Sequence, residues 1–335
     1  MSIQSKKALL IGINYLSIPA NTLKGSINDI ENMQEVLIDG LQYDSSNIVM
    51  MRDDLSGNVV PTRQNILDHL NALVAASSSC SEIWIYYSGH GTQIPDITDQ
   101  LVAIDASSHV IYNLDQALVP VDYTTAGFIT DKELFSIIKN IKCRAFLIFD
   151  CCHSASLCDL EWEFQYVSKN KYNKSHYSNK VIANPNIYMI SGCKDSQTSL
   201  SIFDVSLNEY VGVLTESLIH CLKMMKYTGS IIALHENICM KILNGGYVQT
   251  PILSCTFENP SYTFGPVPKT VINLGVMRNP LFNHISASRL PAYQAIYKKI
   301  YEYTPNTGSG PAIQSSQTIQ QNMKSVLQTK GYINR

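Results

Sequence analysis

The chain alternates between short apolar runs and longer stretches in which apolar residues recur at helical spacing. Segments 7–14, 82–87 and 144–149 are mostly apolar, which is typical of strands buried on both faces of a parallel sheet. Segments 26–41 and 62–76 place apolar residues three and four positions apart, the pattern of helices that cover a sheet. This alternation predicts an α/β fold with a mainly parallel β-sheet flanked by helices on both faces.

Further predicted elements continue the rhythm along the chain. They are strands at 47–51, 186–190 and 251–257 and helices at 131–141, 211–225 and 233–243. The polar, lysine-containing segment 168–184 is predicted to be an exposed loop. The rhythm fades towards the end of the chain, where 304–321 is rich in Ser, Thr, Gln, Gly and Pro. We therefore expect a domain at 1–265 and a partly disordered C-terminal extension at 266–335.

Composition narrows the class of protein. The 335 residues are 45% hydrophobic, which is enough for a substantial core. A net charge of −2 offers no basic face, so no nucleic-acid partner is expected. Residues 1–7 lead directly into a strand and no apolar run approaches about 18 residues, so we predict neither a signal peptide nor a membrane partner. Nine cysteines without regular spacing indicate reduced thiols and a cytoplasmic location.

Two polar strings follow two of the predicted buried strands and carry the candidate chemistry. Residues 88–91 are Ser-Gly-His-Gly, and residues 150–154 are Asp-Cys-Cys-His-Ser. Reactive groups gather beyond the carboxyl ends of parallel strands, so His90 and a thiol are candidates for a cysteine–histidine catalytic pair. Backbone N–H groups near Gly91 and Cys152 are candidates for an oxyanion hole. Ordinary strand-end residues are one alternative, and a zinc site is another, although zinc ligands are usually separated by about two to four residues.

Five short motifs occur in a fixed order along the chain. They are Leu23-Lys24-Gly25-Ser26-Ile27-Asn28-Asp29, Tyr86-Tyr87-Ser88-Gly89-His90-Gly91, Val119-Pro120-Val121-Asp122-Tyr123, Asp150-Cys151-Cys152-His153-Ser154 and Ile190-Ser191-Gly192-Cys193-Lys194-Asp195-Ser196-Gln197-Thr198-Ser199. Together they resemble the motifs of type I metacaspases, over about residues 6 to 260. The resemblance implies a caspase-like fold, with a large-subunit-like part to about 165 and a small-subunit-like part at about 186–260. It also implies a monomeric cysteine endopeptidase that cleaves proteins after arginine or lysine, generally with calcium.

The resemblance assigns roles to residues by their positions in the motifs. It implies His90 as general base and Cys152 as nucleophile, with Cys151 as a rival that position alone disfavours. The positions that match the acidic S1 pocket are Asp29, Ser88 and Asp150, with Ser26 at the rim. Paired carboxylates are costly to bury unless a cation enters, and a substrate arginine or lysine supplies one. A first-turn helix acid and a structural strand-end acid are the alternatives for Asp29 and Asp150.

The resemblance also implies calcium ligands at Asp115, Asp131 and Asp159. A second acid that normally follows the position of Asp131 is replaced here by Lys132. Calcium prefers several oxygen ligands, so an ammonium group at this position predicts a weakened site. Solvated loop residues or helix caps are the alternatives for these acids.

Two other functions and one further activity stay open at this point. A catalytically impaired caspase-like scaffold is one alternative, although the retained catalytic and pocket positions argue against it. A binding module that recruits a partner through the C-terminal extension is the other. Segment 168–184 lies where the large-subunit-like and small-subunit-like parts join, and its lysines predict a site of self-cleavage.

Overall fold

An eight-stranded sheet forms the centre of the computed structural model, which describes residues 5–55, 59–95, 103–104, 110–111, 114–152, 154, 157–177, 181–192, 201–204 and 209–265. In spatial order its strands are β11 (Lys171–His176), β10 (Trp162–Ser168), β16 (Ile252–Cys255), β12 (Ile187–Ser191), β9 (Arg144–Asp150), β3 (Cys80–Ser88), β1 (Ser5–Gly12) and β2 (Ile48–Arg52). The five strands from β12 to β2 pair in parallel, and the other three continue the sheet in antiparallel pairing. The predicted extension, 266–335, lies outside the described residues.

Helices and smaller sheets surround this central sheet. The helices are α1 (Ser26–Glu35), α2 (Arg63–Ala76), α3 (Tyr123–Ala126), α4 (Asp131–Ile138), α5 (Val213–Met224) and α6 (Ile231–Asn244). A π-helical turn, Val36–Gly40, continues α1, and 3-10 turns lie at Pro19–Asn21, Ser45–Asn47 and Ser77–Ser79. The smaller sheets are β4 (Gly91–Pro95) with β7 (Leu114–Leu118) and β8 (Ile129–Thr130), β5 (Ala103–Ile104) with β6 (Val110–Ile111), β13 (Ser201–Asp204) with β14 (Glu209–Gly212), and β15 (Gly229–Ser230) with β17 (Thr263–Phe264).

The two faces of the central sheet bury separate apolar layers. In β3, Ile85 and Tyr87 join the layer that contains buried residues of α2 and α4. Their neighbours Trp84 and Tyr86 join the opposite layer, with buried residues of α1, α5 and α6. Because successive strand residues point to opposite faces, a strand covered on both sides must be apolar throughout. The predicted α/β fold with helices on both faces is confirmed.

Local signals set where the helices begin. The Thr62 side chain accepts a hydrogen bond from the Asn65 N–H at 3.2 Å and caps α2, as the sequence predicts. Thr130 and Glu133 form a capping box at the start of α4. Among the described residues, no helix combines the length and the apolar composition that crossing a membrane requires.

The segment expected to be an exposed loop is partly a strand. Residues Lys171–His176 form β11, which pairs with β10, and β10 in turn pairs with β16. Most β11 side chains are exposed, as the polar composition indicates. The loop prediction is wrong for this part because strand pairing uses backbone groups that polar residues also carry. Lysines are common on such edge strands, where their charge discourages pairing with other chains.

Candidate active site

The two polar strings meet because β3 and β9 are neighbouring parallel strands. Ser88, the last residue of β3, lies opposite Asp150, the last residue of β9. The chain therefore delivers His90 and the Cys151–Cys152 pair to the same edge of the sheet. Gly91 shows how close the two segments come, since a Cβ atom at this position would lie 2.1 Å from the Cys152 carbonyl oxygen. Only glycine allows this approach.

Burial and one hydrogen bond determine the protonation of His90. The residue is 5% exposed, and its Nε2 lies 2.8 Å from the Asn21 carbonyl oxygen. A carbonyl oxygen only accepts, so Nε2 carries the proton and Nδ1 is the basic nitrogen of the neutral ring. Burial lowers the pKa of His90 to about 4, although the bond to Asn21 acts in the opposite direction. At neutral pH the imidazole is therefore uncharged and able to accept a proton.

Two buried tyrosines fix the backbone and the ring of His90. The Tyr15 ring lies 4.6 Å from the His90 ring, between centroids, and the Tyr15 hydroxyl accepts the His90 backbone N–H at 2.9 Å. The Tyr15 hydroxyl donates to the Val119 carbonyl at 2.6 Å, and the Tyr87 hydroxyl donates to the His90 carbonyl at 2.8 Å. Tyr15 has a φ of 55°, which is uncommon for a bulky residue and is tolerated where surrounding contacts enforce it.

The motif 119–123 contributes to the same network. Val119 supplies the carbonyl that Tyr15 contacts, and the Tyr123 hydroxyl accepts a hydrogen bond from Asn21 Nδ2 at 2.6 Å. Asn21, only 2% exposed, is thereby held where its carbonyl meets the His90 ring. These residues thus hold the His90 ring in its orientation through Asn21 and Tyr15.

Exposure separates the two candidate nucleophiles. Cys151 is 1% exposed and belongs to the apolar layer that also contains Tyr87. Cys152 is partly exposed. The Ser154 hydroxyl donates to the Cys151 carbonyl at 2.9 Å and stabilises the turn, whereas His153 lies outside the described residues. A substrate can reach a partly exposed thiol but not one inside the core, so the geometry favours Cys152.

The predicted S1 acids are both buried and both hydrogen-bonded. Asp29 accepts hydrogen bonds from the Ser88 hydroxyl at 2.7 Å and from the Gly212 N–H at 2.8 Å. Asp150 Oδ2 accepts two hydrogen bonds from Thr215, from the N–H at 3.0 Å and from the hydroxyl at 2.6 Å. The structure thus brings Asp29, Ser88 and Asp150 together, at the sheet edge where His90 and Cys152 also lie.

The two carboxylates influence each other. Burial raises the pKa of Asp29 well above its usual value, and the charge of Asp150 raises it further. Hydrogen bonds from Gly212 and Ser88 act in the opposite direction. A buried pair of like charges is unfavourable until one carboxylate takes up a proton or a cation neutralises the pair.

Ser26 and Gly91, the remaining predicted site residues, are placed by their backbones. Ser26 is the first residue of α1, one turn before Asp29, and its N–H donates to Asn14 Oδ1 at 3.1 Å. Gly91 begins β4 and lies opposite Leu118 of β7. The roles of Ser26 at the pocket rim and of Gly91 and Cys152 in an oxyanion hole stay predictions.

Two of the three predicted calcium ligands, Asp115 and Asp131, contact other groups of the protein. Burial and then the charge of Asp115 raise the pKa of Asp131 to about 6, and Asp159 adds to this, so the three acids lie near one another. However, Lys132 Nζ lies 3.3 Å from Asp115 Oδ1. The Asp131 oxygens accept the N–H groups of Gln116 at 3.2 Å and Lys132 at 2.6 Å. Within the described ranges, no group of three or more Asp, Glu, His or Cys side chains is disposed to hold a metal ion.

Several supporting residues were not singled out from the sequence. Asn21 acts through its backbone carbonyl, and any residue carries one, so no side-chain pattern could have indicated it. Tyr15 and Thr215 act across large separations in sequence, which only the folded topology closes. The motif 119–123 was the one signal available, because it lies in the network that holds Asn21 and Tyr15.

Comparison with known proteins agrees with this geometry. A sequence model described as the metacaspase, peptidase C14 domain matches residues 6–161. Metacaspase-5 of Trypanosoma cruzi is 33% identical over 78% of this chain and 60% of its own length. Metacaspase-1 of Schizosaccharomyces pombe is 31% identical over 75% of this chain and 67% of its own length.

The solved structure of protein GSU0716 from Geobacter sulfurreducens resembles the fold with a TM-score of 0.51 and 19% identity, over 78% of this chain and 94% of that one. This likeness concerns the fold alone. The chain spans about 60% of the Trypanosoma relative and 41% of Metacaspase-1 from Candida albicans, to which it is 36% identical. On its sequence similarity to these proteins and the match to their peptidase domain, the chain belongs to the metacaspase family of caspase-like cysteine peptidases.

Proposed function

We propose that this protein is a cysteine endopeptidase that cleaves protein substrates after arginine or lysine. The observation that carries the proposal is the buried carboxylate pair, Asp29 and Asp150, at the sheet edge that also carries His90 and Cys152. An acidic pocket beside a reachable thiol and a neutral imidazole suits a substrate with a cationic side chain next to the scissile bond.

The chemistry follows from the state of His90. Its neutral ring, protonated on Nε2, leaves Nδ1 to take the proton of the Cys152 thiol as the sulfur attacks the substrate carbonyl carbon. Backbone N–H groups near Gly91 and Cys152 would stabilise the negative charge on the carbonyl oxygen. The imidazolium then returns its proton to the leaving amine, and an acyl-enzyme remains on Cys152. Water, deprotonated by His90, hydrolyses this thioester and restores the thiol.

The acidic pair supports discrimination between substrates. A guanidinium or ammonium group entering the pocket offsets the repulsion between Asp29 and Asp150 and forms charge-assisted hydrogen bonds. A substrate aspartate would add a third negative charge at the same place. We therefore expect arginine and lysine, and not aspartate, at the residue before the cleaved bond.

Fluorogenic peptides ending in Arg, Lys or Asp test the proposal directly. We expect the wild type to cleave the first two, Cys152→Ala to be inactive and Cys151→Ala to retain activity. Loss of activity in Cys151→Ala with retention in Cys152→Ala would reverse the assignment of the nucleophile. Failure of the folded wild type to cleave any of the peptides would favour the scaffold alternative.

Self-cleavage within 168–184 is part of the proposal and can be narrowed to two lysines. Lys171 and Lys174 lie in β11 and would have to leave the sheet before they could enter an active site. Lys169 lies in the exposed turn between β10 and β11, and Lys180 lies outside the described residues. We expect intact-mass analysis to show a cut after Lys169 or Lys180 in the wild type and none in Cys152→Ala.

A further inference from the structure

Helix α5 begins at the acidic pocket and takes its N-terminal cap from another element. The capping position is Gly212, which has no side chain to accept the first N–H groups of the helix. Asp150, from the end of β9, supplies this acceptor, because its Oδ2 receives the Thr215 N–H at 3.0 Å. A carboxylate at a helix N-terminus is stabilised in its charged form by the helix dipole and by the N–H group that it accepts.

The Thr215 side chain adds a second donor to the same oxygen. Its hydroxyl donates to Asp150 Oδ2 at 2.6 Å and is also hydrogen-bonded to the Tyr86 hydroxyl. Since the single Thr215 hydroxyl proton points to the carboxylate, Tyr86 must donate in the other bond. Tyr86, Thr215 and Asp150 thus form a directed chain of hydrogen bonds, in which no residue is more than 5% exposed.

The absence of a side chain at Gly212 leaves room for the carboxylates of Asp29 and Asp150. Its N–H donates to Asp29 Oδ1 at 2.8 Å. A Cβ atom at Gly212 would lie 2.1 Å from Asp150 Oδ2 and 3.0 Å from Asp29 Oδ2. The backbone φ of −70° is available to any residue, so the need for glycine here is the close approach of the two acids.

We propose that Thr215 is a positioning residue that aims Asp150 at the cationic side chain of the substrate, with Gly212 providing the room. This inference rests on the proposed cleavage after arginine or lysine. Asp29 is held mainly by Gly212 and Ser88, whereas Asp150 is tied to the helix start, so the two acids have different tasks. Burial raises the pKa of Asp29, and a cation that enters the pocket favours its ionised form.

Thr215→Val tests the role of the hydroxyl, because valine keeps the shape and the backbone N–H but removes the side-chain donor. We expect the KM for Arg and Lys peptides to rise about tenfold with little change in kcat, since the pocket and not the Cys152–His90 pair is altered. Thr215→Ser should restore most of the affinity. The matched control is Thr228→Val, four residues beyond the C-terminal end of α5, where the hydroxyl donates to the Met225 carbonyl at 2.7 Å.

A second variant covers the case in which Thr215→Val folds poorly. Gly212→Ala should abolish cleavage of Arg and Lys peptides, while Cys152 is still alkylated by iodoacetamide at the wild-type rate. An unchanged KM in Thr215→Val, or an equal rise in KM in Thr228→Val, would overturn the inference. A wild type that cleaves no Arg or Lys peptide would instead overturn the proposed function, so the two failures are distinguishable.

Discussion

Asp29 is under two opposing demands, one from folding and one from binding. Burial and the neighbouring Asp150 raise its pKa, so ionised Asp29 is unfavourable in the folded chain. An acid whose pKa is higher in the folded state contributes stability below its unfolded pKa and loses that contribution as the pH rises through the folded value. At neutral pH the burial of this carboxyl group therefore lowers the free energy of unfolding.

Asp29→Asn should separate these demands. We expect a higher free energy of unfolding than wild type at pH 7 to 8, with the difference shrinking at acidic pH, and loss of Arg and Lys peptide cleavage. The amide oxygen can still accept the Gly212 N–H, and the Ser88 hydroxyl can turn to accept the amide. Urea denaturation across this pH range measures the effect, with the exposed Asp39→Asn as control. A variant less stable than wild type at pH 8 would contradict the expected cost.

Asp29 and His90 should affect different kinetic parameters as the pH changes. Because the pKa of Asp29 is raised, forming the carboxylate that a cationic substrate needs becomes more costly as the pH is lowered from 7 to 5, so KM increases. His90 stays neutral until about pH 4, so kcat should change little over the same range. Steady-state kinetics with an Arg peptide tests this prediction. A kcat that falls with a midpoint near the ordinary histidine value of about 6.5 would show that burial does not control His90.

At the scale of elements, the pairing of β3 with β9 brings together groups from two distant parts of the chain. Both strands are apolar and buried, so their parallel register is well specified, and their last residues lie side by side. Gly91, the first residue of β4, has no side chain and can therefore lie against the Cys152 carbonyl oxygen. The active site depends on a backbone contact as much as on side chains.

Gly91→Ala tests that contact. The added methyl group would push the Cys152 backbone away from His90, and a displacement of about 1 Å in a catalytic group costs on the order of 100-fold in rate. We expect a loss of that size in kcat/KM with the fold retained by circular dichroism. Gly265→Ala is the matched control, since no atom of the described residues lies within 4 Å of its Cβ position. Equal activity in both variants would show that Gly91 and the Cys152 carbonyl are not in close contact.

Much of the element pattern could be predicted, and the exceptions involve exposed or short strands. Apolar runs and helical spacing identify the strands and helices that bury side chains, including α2 with its Thr62 cap. The hairpin of β10 and β11 was not predicted from the sequence, because β11 is exposed and its stability comes from backbone pairing. The predicted helix at 211–225 begins too early, because residues 211 and 212 end the short strand β14, whose last residue is Gly212.

At the scale of the whole molecule, the region around Lys132 distinguishes this chain from the calcium-binding pattern of its family. The Lys132 ammonium contacts Asp115, so a positive charge already lies among the three acids. The Lys132 side chain is exposed, so its contact with Asp115 alone adds little stability, but calcium would have to displace it. Calcium activation stays a prediction, with low affinity as the expected property.

Calcium titration of cleavage tests this property. We expect wild-type activity to differ little between EDTA and sub-millimolar calcium, because the ion must compete with Lys132. Lys132→Asp should remove the competitor and add a carboxylate, so half-maximal activation should occur at a calcium concentration at least about tenfold lower. Lys139→Asp, at the end of α4, is the control for a change of charge. Tight calcium activation of the wild type would show that Lys132 moves away readily.

The sequence by itself determined the layered α/β fold, the strand ends that carry His90 and Cys152, and the family. These features depend on local periodicity and on short motifs, which can be recognised before the chain folds. Asp29 and Asp150 were likewise predicted from motif positions to be acids of the substrate pocket, and this role stays a prediction.

Tertiary structure decided the features that depend on contacts between distant segments. It buries Cys151 and leaves Cys152 partly exposed, which favours Cys152 as the nucleophile, and it assigns the proton on His90 to Nε2 through the Asn21 carbonyl. It also tied Asp150 to Thr215, at the start of a helix that follows β9 at a distance in sequence. Burial, hydrogen-bond direction and charge proximity are properties of packed neighbours, and spacing along the chain does not contain them.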